Sequence, residues 1–336
     1  MVIEAAGALT TVQDLGRKGY ANRGIQENGA CDKFSSRVAN QLVGNRKDAA
    51  VLEMTLKGDC IRFTSEAVIA LTGADMQPTV NGSRIPMYRP VAVQPGAVLN
   101  AGTAVFGLRM YLAVRGGINV PAVLGSRSTG LKCRMGGYEG RALRRGDILN
   151  IGQEDGGVMA QSDGNGGTGS DEAGSDGAAV RCSGREDRLR TLLPACGVRV
   201  ADGKQYPQLR VVPGPQQEAF TEKGLQTFVG AVYHLSAQSD RMGCKLEGAA
   251  IETFHGSDIV SDGIVEGSIQ VSSDGQPIVM LADHQTTGGY AKIGTLIRAD
   301  VPRIAQMRPG DPVAFCFVTA EEAVLAARAM ERQLSL

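Results

Sequence analysis

The sequence predicts a mostly-β chain made of two barrel-like halves. Three observations carry that expectation: short apolar runs of strand length, glycines placed between them, and one turn phrase that returns late in each half. The chain holds 45 glycines in 336 residues, about twice the usual share, so turns are frequent and runs between them short. Runs at 68–71, 79–85, 90–93, 98–100, 110–114, 148–151, 209–212, 231–235, 269–271, 278–281 and 313–318 read as strands, and many short strands at close spacing suggest barrels or sandwiches. Within 79–85 the pair Asn81-Gly82 is a strong hairpin signal, because both residues tolerate the positive φ of a tight turn. The recurring phrase is Gln94-Pro95-Gly96-Ala97, then Arg144-Arg145-Gly146-Asp147, then Arg308-Pro309-Gly310-Asp311. Each reads as a turn with Gly supplying the permissive φ, followed by entry into a strand.

Two helices are expected. Asp32 is placed to cap a helix over 33–43, whose Phe34, Val38 and Leu42 recur at i, i+4, i+8 before Gly44-Asn45 ends it. Thr319 and Glu322 form a capping box opening an Ala/Leu-rich terminal helix to about Leu334. Residues 153–180 are rich in Gly and acidic residues, and no Lys or Arg lies between Arg145 and Arg181. Such a segment cannot bury enough apolar surface to offset its ordering entropy. The expected organisation is therefore a first half over 1–152, a flexible linker over 153–180, and a second half over 181–336 that condenses from about Gln208 and carries the terminal helix.

Composition removes several function classes. Lys+Arg and Asp+Glu both number 35, so no long-range field pulls the chain toward phosphate backbones or anionic membranes. Aromatics are 4% and Trp is absent, which leaves little material for base stacking. Neither nucleic acid nor membrane is an expected partner. The N-terminus lacks the basic and apolar regions of a signal peptide, and no apolar run approaches the ~18 residues of a membrane span. Seven scattered cysteines without metal-ligand spacing read as small hydrophobes or bystanders in a reducing cytosol, with no metal site.

Catalytic motifs are mostly absent. No phosphate-cradling GxxxxGK[ST] loop occurs, and the one GxGxxG match, over 164–169, sits in the linker without a flanking strand or helix. There is no GxSxG elbow, no Ala-Met-Lys-Met biotinylation sequence, and only three histidines; of these His234, inside an alternating run, reads as packed. This chain is expected to bind no cofactor itself. Four polar, glycine-flanked segments stand out as sites where a chain gives up regular propensity. They are 9–17, 125–129 (with Arg127 and Ser128), 238–243 (with Asp240 and Arg241) and 281–294 (with Gln285, Thr286, Thr287 and Lys292).

The strings "LTTVQDLGR", "ANQLVGN", "VLEMTLKG", "ALTGAD", "RMYLAVRGGINVPAVLGSRST", "QSDRMGCKLEG", "GSIQVSSDGQPIVMLADHQTTGGYAKIGT" and "DVPRIAQMRPGD" resemble the C-type subunit of bacterial 5-oxoprolinase. That family is also termed allophanate hydrolase subunit 2 or kinase-inhibitor antagonist, and it is similar to half of the carboxyltransferase domain of urea carboxylase. The resemblance runs from about Ile3 to Asp311, with departures from the usual pattern at Cys31, Gly130, His284 and Ala291. It implies two cyclophilin-like β-barrel halves and pairing with subunit-B-type and subunit-A-type proteins. It also implies ATP-dependent opening of 5-oxo-L-proline to L-glutamate in the cytoplasm, with ATP handled by the complex. On that reading Gln270 and Gln285 would hold the amide, with Thr286, Thr287, Arg127 and Ser128 beside the substrate. Arg241 would clamp the substrate carboxylate, and Asp240 and Lys292 would follow proton movement. Two alternatives stand beside it: a biotin-dependent carboxyltransferase component acting on a urea-like amide, and a non-catalytic partner of a kinase inhibitor.

Overall fold

The computed structural model describes residues 1–152, 197–201 and 203–334; the expected linker over 153–180 lies outside them. In the first half, ten strands form two five-stranded sheets. One orders Leu9–Gln13, Val51–Thr55, Phe106–Val114, Ala67–Asp75 and Pro90–Val93; the other orders Val2–Ala5, Cys60–Arg62, Val98–Asn100, Thr79–Val80 and Ser83–Arg84. Period-two alternation decides which side chains meet. Leu112 stands opposite Leu52 on one neighbour and Leu71 on the other, and all three join Ile3, Ile61 and Leu99 of the second sheet in one core. The next positions, Tyr111 and Ala113, face the other way and bury against Ala39 and Val43 at the helix Lys33–Leu42. Asp32 caps that helix as expected, its carboxylate accepting from the Ser35 amide at 2.8 Å.

The second half closes on itself. Lys204–Pro213 pairs antiparallel with Lys292–Leu296, and the order continues through Ser268–Val271, Pro277–Met280, Gly243–Glu247, Tyr233–Leu235 and Pro312–Phe317. Pro312–Phe317 then pairs in parallel with Lys204–Pro213, which completes a ring of strands. Closure leaves no open edge in that ring. Its interior holds Leu209, Val211, Tyr233, Val279 and Phe315, with the Phe315 ring stacked on Phe228 at 4.8 Å. Phe228 comes from a helix, Glu222–Gly230, that composition did not signal; Thr221 caps it by accepting from the Gly224 amide at 3.0 Å. The reading of His234 as packed is corrected by the same alternation: Tyr233 and Leu235 point inward and His234 is exposed.

The local signals act as their chemistry requires. Asn81 (φ 50°) and Gly82 (φ 81°) are both left-handed and join the two strands of the expected hairpin. The recurring phrase is one structural device used in both halves. Asp147 accepts from the Arg144 amide and Asp311 from the Arg308 amide, each at 2.8 Å, while Gly146 (φ 91°) and Gly310 (φ 88°) take the positive φ between them.

The terminal helix Ala320–Leu334 packs against both halves, reaching Ile297 and Ala299 of the second as well as the helix Lys33–Leu42 of the first. Met330 packs with Phe34 and Val38, and Arg37 holds Glu331 through two bonds of 2.7 Å. Its capping box is reciprocal: Thr319 N donates to Glu322 Oε2 at 2.8 Å and Glu322 N to Thr319 Oγ1 at 3.2 Å. Thr319→Ala is expected to lower stability by about 1 kcal/mol, read as a small drop in melting temperature; an unchanged melt would mean the helix end frays without consequence. Among the described residues no helix is long and apolar enough to cross a membrane.

Candidate functional site at the junction of the halves

The four polar segments converge. Asp14, after the strand Leu9–Gln13, accepts from the hydroxyls of Ser126 (2.7 Å) and Ser128 (2.5 Å) and from the amide of Arg127 (2.5 Å), so the first segment is tied to the second. Arg17 is 1% exposed. It donates to the Ser128 carbonyl at 2.7 Å and to Asn28 Oδ1 at 2.6 Å. Ser128 is fully buried with its hydroxyl engaged by Asp14, which corrects its expected place beside the substrate. Arg127 is exposed and donates its Nε to the Val120 carbonyl at 2.9 Å.

The third and fourth segments meet through Arg241. Its Nε and Nη2 donate to the two oxygens of Asp283 at 2.9 and 3.0 Å, Nη2 also to the Gly29 carbonyl at 2.7 Å, and Nη1 to Glu53. Asn28 Nδ2 donates to Asp283 Oδ1 at 2.8 Å, which joins this centre to Arg17. Glu53 in turn accepts from the Cys31 amide at 2.9 Å and the Tyr111 hydroxyl at 2.8 Å. One continuous polar chain thus runs from Ser128 through Arg17, Asn28, Asp283, Arg241 and Glu53 to Tyr111, crossing between the halves. Burial pushes the Cys31 thiol up to about 12 and the Tyr111 hydroxyl well above its ordinary value, so both stay neutral beside Glu53.

Arg241 is therefore not the exposed carboxylate clamp expected from sequence. It is 4% exposed, and four bonds to protein acceptors occupy its fork. Asp240 is exposed, and its Oδ1 accepts from the Met242 and Gly243 amides at 2.7 and 3.2 Å, an Asx turn.

Beyond Asp283 the segment changes character. Gln26 Nε2 pins the carbonyls of Asp283 (2.5 Å) and His284 (3.1 Å). The side chains of Gln285, Thr286 and Thr287 follow, half-buried to exposed, and none has a hydrogen-bond partner among the described residues. Thr287–Tyr290 then pairs with Asp258–Gly263 in a two-stranded ribbon. Gly288 lets the ribbon lie against Gln270: a Cβ there would stand 2.7 Å from Gln270 Nε2 and 2.5 Å from Ile264 Cδ1. Gln270 is buried and donates to the Tyr290 carbonyl at 3.1 Å; among the described residues its second N–H and its Oε1 are unengaged.

Lys292, one strand over from Gln270 in register, is 5% exposed. Its ammonium donates to Asp262 Oδ2 at 2.5 Å and to the Gly263 carbonyl at 2.8 Å, and its third hydrogen has no acceptor among the described residues. That contact holds the exposed Asp262 carboxyl below its usual range, with the Gly263 amide and Gln216 adding to it. Gln285, Thr286, Thr287 and Lys292 thus follow one another along the segment, Gln270 faces Lys292 in register, and beside Lys292 stand Gln216 and Asp262. Neither of the last two carried a sequence signal. Glu53 did carry one: it is a lone carboxylate inside the apolar run Val51-Leu52-Glu53-Met54. Among the described residues no group of three His, Cys, Asp or Glu side chains is arranged to hold a metal ion.

Residues 23–317 match the model of the carboxyltransferase domain, subdomain A and B. The chain belongs to that family. It is 36% identical to the C-type subunit of 5-oxoprolinase from Escherichia coli strain K12, over 97% of this chain and 94% of that protein. It is also 30% identical to urea amidolyase of Saccharomyces cerevisiae, where the match covers 93% of this chain but only 16% of the other. The structure of urea amidolyase from K. lactis superposes with a TM-score of 0.82 at 28% identity, over 99% of this chain and 19% of that one. The mostly-β architecture is shared with these carboxyltransferase domains.

Proposed function

We propose that the chain is the C-type subunit of an ATP-dependent 5-oxoprolinase that opens 5-oxo-L-proline to L-glutamate in the cytoplasm, alongside subunit-A-type and subunit-B-type partners. The observation that carries this reading is the end-to-end similarity to the C-type 5-oxoprolinase subunit of E. coli, in contrast to the urea amidolyases, of which this chain spans about a sixth. The site chemistry supports it. A lactam resists hydrolysis, so ATP would activate its carbonyl oxygen while water adds at the carbonyl carbon and the C–N bond breaks. Holding the ring in place calls for amide and hydroxyl groups with free capacity, which Gln270, Gln285, Thr286 and Thr287 offer. With Arg241 engaged inside the protein, the substrate carboxylate falls to the third N–H of Lys292. The deciding experiment is 5-oxoproline-dependent ATP hydrolysis by this chain alone, by its partners alone, and by all together. Hydrolysis only in the full mixture is expected; none in any mixture overturns the reading.

No phosphate-binding loop occurs in the sequence, so the purified chain is expected to show no micromolar ATP binding by calorimetry, and such binding would place ATP on this subunit instead. A second reading, carboxyl transfer from a biotin-bound carboxylate to a urea-like amide, is favoured by the family model and by the urea amidolyase superposition. The same amide-holding groups would serve it. Carboxyl transfer to urea without 5-oxoproline-dependent ATP hydrolysis would select it.

A further inference from the structure

We propose that His284 determines specificity at this site by accepting a hydrogen bond from the substrate N–H, which restricts the site to amides that carry one; this rests on the amide-acting reading above. The argument starts from the ring. His284 Nδ1 lies 2.6 Å from the Gln285 carbonyl oxygen. A carbonyl can only accept, so Nδ1 carries the hydrogen. A neutral imidazole has one N–H, and Nε2 is then a bare acceptor.

His284 is 7% exposed, yet Nε2 has no partner among the described residues and is not one of the side-chain atoms sealed from solvent without one. It is thus an unpartnered acceptor that keeps access to solvent. The ring's frame is held on every side. The His284 amide donates to the Leu281 carbonyl at 3.0 Å, its carbonyl accepts from Gln26, and the preceding Asp283 is locked by Arg241 and Asn28. The next three residues, Gln285, Thr286 and Thr287, are those with unengaged polar groups. The other two histidines lack this setting: His234 is exposed on the barrel wall, and His255 is exposed in a loop beside Phe254. A site built to bond a substrate N–H rejects the analogue lacking it, because a desolvated acceptor is left unpaired.

The test uses the full chain labelled with 15N-histidine and assembled with its partners, probed with 5-oxoproline and its N-methyl counterpart and with urea and tetramethylurea, the second member of each pair having no N–H. The His284 ring is expected to show hydrogen on Nδ1 and none on Nε2. The N–H ligand should shift the Nε2 resonance, and the N-methyl one should leave it in place. His284→Asn keeps a donor for the Gln285 carbonyl but lacks Nε2. It should bind both members of the pair alike, losing a discrimination of at least about 100-fold, with an unchanged melt. Hydrogen on Nε2, equal shifts from both members of a pair, no shift from either N–H ligand, or an Asn variant that still discriminates would each overturn the proposal. If 5-oxoproline-dependent ATP hydrolysis is absent while urea moves Nε2, the 5-oxoprolinase reading falls and the assignment of His284 stands.

Discussion

Arg241→Ala is expected to be the most destabilising single change at the junction, by about 3–5 kcal/mol, and to lower the melting temperature by roughly 10 °C. The reason is what it leaves behind. Glu53 is 1% exposed and Asp283 6% exposed, and both face the guanidinium. Removing it leaves Asp283 without its cation, Glu53 with only the more distant Arg109 at 3.9 Å, and the Gly29 carbonyl without a donor. An uncompensated buried charge costs far more than a surface pair contributes. Arg241→Lys keeps one charge but cannot reach Asp283, Glu53 and Gly29 together, so it should fall between wild type and alanine. Asp283→Asn, which removes one of the two acids, should recover part of the loss when combined with Arg241→Ala, and that non-additivity is the signature of one network. A melt within about 1 kcal/mol of wild type for Arg241→Ala would show that water solvates the centre. Because Arg241 joins strands of one half to Glu53 of the other, the alanine variant should also loosen the junction, seen as faster hydrogen exchange around Asn28 and Tyr111.

What was legible in the sequence is what short range determines. Asn81-Gly82 needed only positive φ at two residues, and the capping box of Thr319 and Glu322 needed only one helical turn. The strand Leu9–Gln13 reads as a polar segment because three of its five residues are Thr or Gln. They are nonetheless buried, with partners that no local pattern reveals: Thr10 donates to Asp59 at 2.7 Å and Gln13 to the Thr129 carbonyl at 3.2 Å. Arg241 misled for the same reason. Ser239-Asp240-Arg241-Met242-Gly243 looks like a surface loop, and its decisive acceptor, Glu53, lies 188 residues away. Density of polar residues beside glycine located the junction correctly, since all four segments meet there. It could not separate groups consumed by the fold, such as Ser128 and Arg241, from groups left with free capacity, such as Gln285 and Thr287. That distinction depends on partner geometry.

Lys292→Met is expected to cut substrate-dependent turnover of the assembled complex by about 10²–10⁴-fold while leaving the fold nearly intact. Methionine fills the volume of the lysine stem, which lies buried in the barrel wall between Gln270 and the ribbon. The stability lost is small because the partner that matters most, Asp262, is half exposed and becomes solvated once freed. The Gly263 carbonyl loses a donor at 2.8 Å, a cost of about 1 kcal/mol. What the variant removes is the ammonium at this face of the segment, and with it the group that can hold a substrate carboxylate or stabilise charge growing on the lactam oxygen. Asp262→Asn serves as the companion. It keeps the ammonium and removes the carboxylate beside it, so turnover should fall less than with Lys292→Met. Turnover assays on the reconstituted complex, paired with thermal melts of each variant, decide the matter. If Lys292→Met turns over at the wild-type rate with a normal melt, Lys292 is a strut for the ribbon and leaves the site. If turnover and melt collapse together, the barrel wall needed the charge. Lost turnover on an intact fold, with Asp262→Asn in between, is the pattern expected of an ammonium that meets the substrate.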